Sequence, residues 1–144
     1  MAKWSLDMKV YEKGVSDKIH RFKTNLAFAL YSSVVKKTPV DTGRARANWN
    51  ISTGSVDTSV TTKTKKRGLR YKAGDIKSTG DETIYISNNL PYIKTLEFGG
   101  YPKNSKSGKT VNGYSKQAPN GMVGVTMANI DNIVKAVADR VVKE

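Results

Sequence analysis

The residue pattern of the chain changes between Lys36 and Ser52. This change prevents a helix that precedes it from continuing through the segment. Thr38 precedes Pro39, and a proline ring disfavours helical backbone angles at the residue before it. The triplet Asp41-Thr42-Gly43 follows. Its aspartate can bond the backbone two residues on, and its glycine tolerates a left-handed backbone. The sequence therefore predicts a helix that ends near residue 37, then a turn, then a different element from residue 44.

A long helix is predicted before this turn. Apolar residues recur there at spacings of three and four, which is the period of one helix face: Val15, Ile19, Phe22, Leu26, Ala29, Leu30 and Val34. Lys36 and Lys37 suit the negative end of the helix dipole. Residues 1–14 alternate apolar and polar side chains instead. We expect this segment to form either a short strand or an N-terminal arm that docks on a neighbouring molecule.

A strand is predicted after the turn, over residues 44–52, because apolar and polar residues alternate. One face carries Ala45, Ala47, Trp49 and Ile51, and the other carries Arg44, Arg46, Asn48 and Asn50. Residues 56–62 also alternate and are rich in threonine and valine, which favours a second strand paired with the first as an antiparallel hairpin. Trp49 is the largest residue on the apolar face, so we expect it to anchor the core.

The remaining elements are a strand over 83–87, a short helix after Pro91, a strand over 122–126 and a helix from about residue 129. The predicted fold class is α+β. A small antiparallel sheet of about four strands packs against a long N-terminal helix and a C-terminal helix. We expect residues 1–144 to form a single domain. The segments 63–80 and 99–121 are expected to be extended loops, mobile in the isolated subunit, because both are rich in glycine and bases.

Positive charge is concentrated in the first of these loops. The 144 residues carry a formal net charge of +13, from 25 lysines and arginines against 12 acids. Residues 63–72 contain six bases and no acid: Lys63, Lys65, Lys66, Arg67, Arg70 and Lys72. A basic segment of this kind suits an anionic partner, either DNA phosphates or an acidic protein surface. Solubility is the simpler interpretation of the same charge.

Several classes of chemistry are not expected. The chain has no cysteine and one histidine, His20, so neither a thiolate or histidine metal site nor a catalytic triad is predicted. Glycine-lysine occurs at Gly108-Lys109 without the spacing of a phosphate-binding loop. No apolar run reaches the roughly 20 residues of a membrane span, and residues 1–10 lack a signal-peptide core. We predict a protein made in the cytoplasm, with no enzymatic activity, no cofactor and no membrane partner.

Two short stretches resemble a known family. The run from Thr38 to Arg44 resembles the signature of tail-completion, or neck, proteins of long-tailed double-stranded-DNA bacteriophages, and a second stretch from Tyr92 resembles another element of that family. The motif residues are Pro39, Asp41, Thr42 and Gly43 in the first stretch and Tyr92, Glu97, Phe98 and Gly99 in the second.

The resemblance implies a structural virion protein that forms a homo-oligomeric ring, a hexamer or a dodecamer, between the DNA-filled head and the tail. The implied partners are neighbouring connector and tail-tube proteins, with packaged DNA as a further partner through charge. No catalysis is implied. Glu97 then either pairs with a basic residue of a neighbouring subunit or is simply solvated.

Two other functions compete with this one. Asp41-Thr42-Gly43 also occurs in aspartic proteases, but such an enzyme needs two carboxylates in one site, and the chain has a single triplet. The other alternative is a nucleic-acid-binding module acting through residues 63–72, with Tyr71 available to stack on a base.

Overall fold

The computed structural model describes residues 2–78, 80–103 and 107–143, and for residues 2–11 it describes the backbone alone. Helices α1 to α5 span Ala2–Lys37, Arg44–Ala47, Ile93–Phe98, Val123–Ala128 and Ile130–Lys143. Strands β1 to β4 span Asn50–Thr53, Ile84–Ser87, Thr110–Val111 and Tyr114–Ser115, and a 3-10 helix spans Ala73–Asp75. The α+β class with long N-terminal and C-terminal helices is confirmed.

Helix α1 is longer than predicted, with 36 residues. A short strand within residues 2–14 is therefore wrong, whereas docking of this segment on a neighbour stays a prediction. The sequence contains a reason for the extension. The three-and-four spacing that begins at Val15 continues upstream in the sequence through Tyr11, Met8 and Trp4, so a helical period fits these residues as well as an alternating one. Gly14 lies inside the helix, although glycine there costs about 1 kcal/mol relative to alanine.

The sheet is smaller than predicted. β1 pairs with β2 in antiparallel register, with Ile51 opposite Ile86, and β3 pairs with β4 as a separate two-stranded unit. The predicted strand over 44–52 is wrong in its first half, because residues 44–47 form the one-turn helix α2. The alternation still identified buried side chains, since Ala45, Ala47, Trp49 and Ile51 are all buried.

The predicted strand over 56–62 is also wrong, and buried asparagines explain why. The Asn48 side chain accepts from the Thr61 backbone N–H at 2.8 Å and donates to the Thr61 carbonyl at 3.0 Å. Asn50 donates to the Ser59 carbonyl at 3.1 Å. Two side-chain amides thus satisfy backbone groups that a neighbouring strand would otherwise pair. The segment runs beside β1 without joining the sheet, and β1 pairs with β2 instead.

The core lies between the second half of α1, the β1–β2 pair and α3. Tyr31, Val35, Trp49, Leu96 and Met122 are buried in it. α5 packs along α1 through Val137 and Val141. No helix in the described part of the chain has the length and apolar character needed to cross a membrane. Residues 12–19 of α1 are all exposed, so this part of the helix projects away from the core.

Candidate functional site

The first motif begins where α1 ends, and two hydrogen bonds fix it to the core. The buried Thr38 hydroxyl donates to the Val34 carbonyl at 2.7 Å and accepts from the Trp49 indole Nε1–H at 2.8 Å. The Thr38 backbone N–H has turned to the Val35 carbonyl at 3.1 Å, so the hydroxyl replaces it as the donor to Val34. This helix end therefore depends on a buried side chain eleven residues later.

Gly43 closes the turn in a conformation that requires glycine. Its φ is +88°, and a Cβ there would lie 2.8 Å from the Lys65 carbonyl carbon and 2.8 Å from the Lys66 nitrogen. The Gly43 carbonyl accepts from the backbone N–H groups of Lys65 at 2.9 Å and Ala47 at 3.1 Å. The turn therefore leads directly into α2. Through the Gly43 carbonyl it also holds the start of the basic loop in place beside the turn.

Arg46 ties the helix end, the turn and the loop together. Its Nε donates to the Thr38 carbonyl at 3.0 Å, one terminal nitrogen to the Lys66 carbonyl at 3.0 Å, and the other to the Lys36 carbonyl at 3.1 Å. A planar guanidinium holds three such acceptors in one geometry. The alternating pattern predicted Arg46 on the polar face of a strand and gave no sign of this role, because the carbonyls that Arg46 binds come together only in the folded chain.

The basic loop is more structured than predicted. Its Arg70 is exposed, and the guanidinium donates to the Ala47 carbonyl at 3.0 Å and to Asn50 Oδ1 at 3.2 Å. Contact of Arg70 with a partner stays a prediction. Tyr71 packs edge-on against Tyr31 at 5.7 Å, and the Arg70 guanidinium lies 5.1 Å from its ring centre. Tyr71 thus contacts two residues of its own subunit, and these contacts do not support the stacking on a base that the nucleic-acid alternative requires. The other five bases of the loop are exposed: Lys63, Lys65, Lys66, Arg67 and Lys72.

The second long loop, over 99–121, holds the β3–β4 hairpin, and its residues 104–106, like Thr79 of the first loop, lie outside the described residues. Whether either loop is mobile in the isolated subunit stays a prediction.

Glu97 of the second motif is a helix cap within the subunit. One carboxylate oxygen accepts from the backbone N–H groups of Met122 at 2.7 Å and Val123 at 2.9 Å, and the other accepts from Gly124 at 2.8 Å. These are N–H groups of the first turn of α4, which lack partners within their own helix. The expectation that Glu97 is simply solvated is therefore wrong, whereas a pair with a basic residue of a neighbouring subunit stays a prediction. The capped helix also replaces the strand predicted over 122–126.

The other residues of the second motif divide between packing and exposure. Gly99 ends α3 with a φ of +79°, and a Cβ there would lie 3.0 Å from the Tyr114 ring. Leu96 is buried, whereas Phe98 is 75% exposed. The Phe98 ring therefore does not anchor this helix in the core, and it is available to a partner.

The first motif and Tyr92 of the second motif line an open cleft of about 740 Å³, whereas Glu97, Phe98 and Gly99 do not line it. The first turn, residues 39–45, forms one side of the cleft. Leu96 of α3 and Tyr92, which directly precedes α3, form a second side. The second loop forms the rest, with Tyr101, Ser107 to Thr110, and Ser115 to Gln117. The Gln117 side-chain amide accepts from the Val40 N–H at 2.8 Å and donates to the Val40 carbonyl at 3.0 Å. This pair of hydrogen bonds joins the first motif to the loop across the cleft.

The electrostatics of the cleft centre on Tyr92. Burial raises the pKa of its hydroxyl above the usual value, and the nearby Arg44 guanidinium lowers it by a smaller amount. Asp41 is near the same hydroxyl and lies 3.7 Å from Lys109 Nζ. Within the described residues, no three His, Cys, Asp or Glu side chains come together as a metal site would require. The features that the cleft offers for binding a partner are therefore its charged side chains and its concave shape.

Comparison with known proteins identifies the family. Residues 6–99 match the family described as "Bacteriophage HK97-gp10, putative tail-component". The chain belongs to this HK97 gp10-like family. The matched range includes both motifs and ends at Gly99, before the loop that completes the cleft. Neither the curated proteins nor the solved structures gave a match to the chain.

Membership of the HK97 gp10-like family confirms the resemblance seen in the sequence. The protein is a structural component of a bacteriophage tail, located in the virion, and it interacts with other phage tail proteins.

Glu97 gives this site its first testable prediction. Glu97→Ala is expected to lower the free energy of unfolding by about 1–3 kcal/mol, because three backbone N–H groups lose a charged acceptor. Urea denaturation measures the change. Glu12→Ala, at an exposed position in the projecting part of α1, is the control and is expected to change stability little. Equal effects of the two substitutions would show that Glu97 does not cap α4.

Proposed function

We propose that this tail component is a single-domain subunit of a homo-oligomeric ring, a hexamer or a dodecamer, that joins the DNA-filled head to the tail. The observation that carries the proposal is the projecting part of α1. Residues 12–19 are all exposed, and they include Val15 at 41% and Ile19 at 62% exposure. A helix that exposes apolar residues beyond its own core is a surface suited to a neighbouring subunit.

The length of α1 supports the same conclusion. At 1.5 Å per residue the helix extends about 54 Å. Among residues 12–37, whose side chains the structure describes, the buried ones lie in the second half of the helix: Ala27, Tyr31, Val34 and Val35. A helical segment without tertiary packing is marginal in water, and Gly14 weakens this one further. Packing on the next copy would supply the missing burial. A contact between unlike surfaces of adjacent copies closes into a ring when the rotation permits.

Assembly can be tested at the two exposed apolar positions. Val15→Glu/Ile19→Glu is expected to shift the protein from oligomer to monomer, because two carboxylates would have to be desolvated in the contact. Size-exclusion chromatography with light scattering measures the change. Lys13→Glu is a matched control, since it changes the net charge by the same amount at an exposed position of the same segment. A wild-type monomer at every concentration, or a double variant that assembles normally, would refute the role of α1.

The exposed bases of the first loop are proposed to face an anionic neighbour in the neck, either packaged DNA or an acidic connector surface. The contacts that hold this part of the loop to Gly43 and Arg46 use the backbone of Lys65 and Lys66. The side chains are therefore free to act on a partner through charge complementarity.

Charge reversal of Lys65, Lys66 and Arg67 to glutamate is expected to leave the subunit folded, because exposed charges contribute little to stability. The same change is expected to leave full heads and separate tails in electron micrographs of lysates. Reversal of three exposed lysines elsewhere, Lys94, Lys135 and Lys143, controls for net charge. Normal infectious particles from the first variant would show that the loop charge serves solubility alone.

A further inference from the structure

We propose that the cleft lined by the first motif and Tyr92 binds an extended peptide segment of another tail protein through an aspartate or glutamate of that segment. The peptide carboxylate binds Arg44, and the apolar residues beside it pack against Tyr92 and Leu96. The claim that the peptide comes from another tail protein rests on the proposed function. Binding of such a peptide can be measured on the isolated subunit.

Arg44 provides the first reason. Its Nε atom is buried and has no hydrogen-bond partner among the described residues. A buried donor left unpaired costs about 1–3 kcal/mol, and Arg44 lines the cleft, so an acceptor bound there that draws the guanidinium into a hydrogen bond removes this cost. A carboxylate is such an acceptor, because its two oxygens match the fork of a guanidinium. The backbone N–H of Arg44 donates to Thr42 Oγ1 at 3.2 Å, which helps to fix the start of α2.

The charge of the lining provides the second reason. Three bases, Arg44, Lys109 and Lys116, line the cleft, against one acid, Asp41. Asp41 is itself within 3.7 Å of Lys109 Nζ, so part of its charge is already balanced. The remaining field attracts an anionic group and repels a cationic one.

The walls and size of the cleft favour a peptide over a nucleic acid. Its volume of about 740 Å³ lies within the roughly 300–1,000 Å³ of ordinary ligand pockets. Leu96 and Ala45 provide apolar wall, and Tyr92 and Tyr101 provide rigid amphipathic surface of the kind enriched at protein interfaces. A peptide can bring one carboxylate between apolar side chains. A nucleic acid carries a phosphate at every nucleotide, and these phosphates would be repelled by the Asp41 carboxylate in the cleft.

The experiment is an NMR titration of the folded protein with N-acetyl-Leu-Glu-Leu-amide, in which the side-chain Nε–H signal of Arg44 is followed. N-acetyl-Leu-Gln-Leu-amide has the same size and no charge. The glutamate peptide is expected to shift the signals of Arg44, Tyr92 and Leu96, and to bind about tenfold more tightly than the glutamine peptide, as expected for a charge-assisted hydrogen bond.

Arg44→Lys keeps the charge but removes the fork, and it is expected to reduce affinity for the glutamate peptide about tenfold. Lys135→Gln, at an exposed position of α5 outside the cleft, is expected to leave that affinity unchanged. The spectrum of each variant shows directly whether it is folded.

Equal affinity for the two peptides would overturn the proposal, as would no shift with either at millimolar concentration. An eight-nucleotide oligothymidylate that shifts the Arg44 signal when the glutamate peptide does not would assign the cleft to phosphate instead. Ring formation is tested separately with the Val15 and Ile19 substitutions. A failed titration therefore does not refute ring formation, and a failed assembly test does not refute peptide binding.

Discussion

Replacing Trp49 by alanine is expected to lower the free energy of unfolding by about 3–5 kcal/mol. The indole is 4% exposed and packs in the main core cluster. Its removal leaves a cavity, and it also leaves the Thr38 hydroxyl without its indole donor. Urea denaturation at constant m value measures the change.

Thr38→Val separates the hydrogen bonds from the packing. Valine keeps the shape of the side chain but leaves the Trp49 N–H and the Val34 carbonyl without the hydroxyl they share. We expect a smaller loss of about 1–3 kcal/mol. If Trp49→Ala unfolds at the wild-type urea concentration, the burial of Trp49 described here is wrong.

Gly43→Ala is the second substitution with a large expected effect. A φ of +88° costs a residue with a Cβ about 1–2 kcal/mol. The new Cβ would also meet the backbone of Lys65 and Lys66 at 2.8 Å, so the loop has to move and the Lys65 N–H to Gly43 carbonyl bond is lost. We expect a total loss of about 2–5 kcal/mol, the sum of the conformational cost and about 1–3 kcal/mol for the lost contact.

Gly54→Ala is the matched control. Gly54 has a φ of +85°, and a Cβ there would have nothing within 4 Å, so it carries the conformational cost alone. Trypsin cleavage after Lys65, Lys66 and Arg67 provides a second measurement, since the displaced loop should be cut faster in Gly43→Ala. If the two alanine variants lose equal stability and are cleaved at equal rates, Gly43 does not hold the loop.

The sequence predicted the helix end well because the responsible interactions are local. Pro39 and Gly43 impose their backbone preferences within a few residues, wherever the rest of the chain lies. The spacing of apolar residues likewise predicted α5 and the second half of α1. For residues 44–51 the alternation identified the buried apolar side chains, and a one-turn helix followed by a strand buries them as well. It did not identify Asn48 and Asn50, which lie on the predicted polar face and are also buried.

The tertiary structure decided the features that depend on distant partners. Asn48 and Asn50 bind the backbone of residues 57–61, and their identity alone does not distinguish a buried amide from a solvated one. Glu97 caps α4 from more than twenty residues away, so a segment rich in β-forming residues becomes a helix.

By itself, the sequence determined the family motifs, the charge and the boundary between the first helix and the turn, since each is carried by neighbouring residues. Only the folded chain brought Arg44, Tyr92 and the 107–117 segment into one cleft, because no local preference relates residues that far apart in the chain.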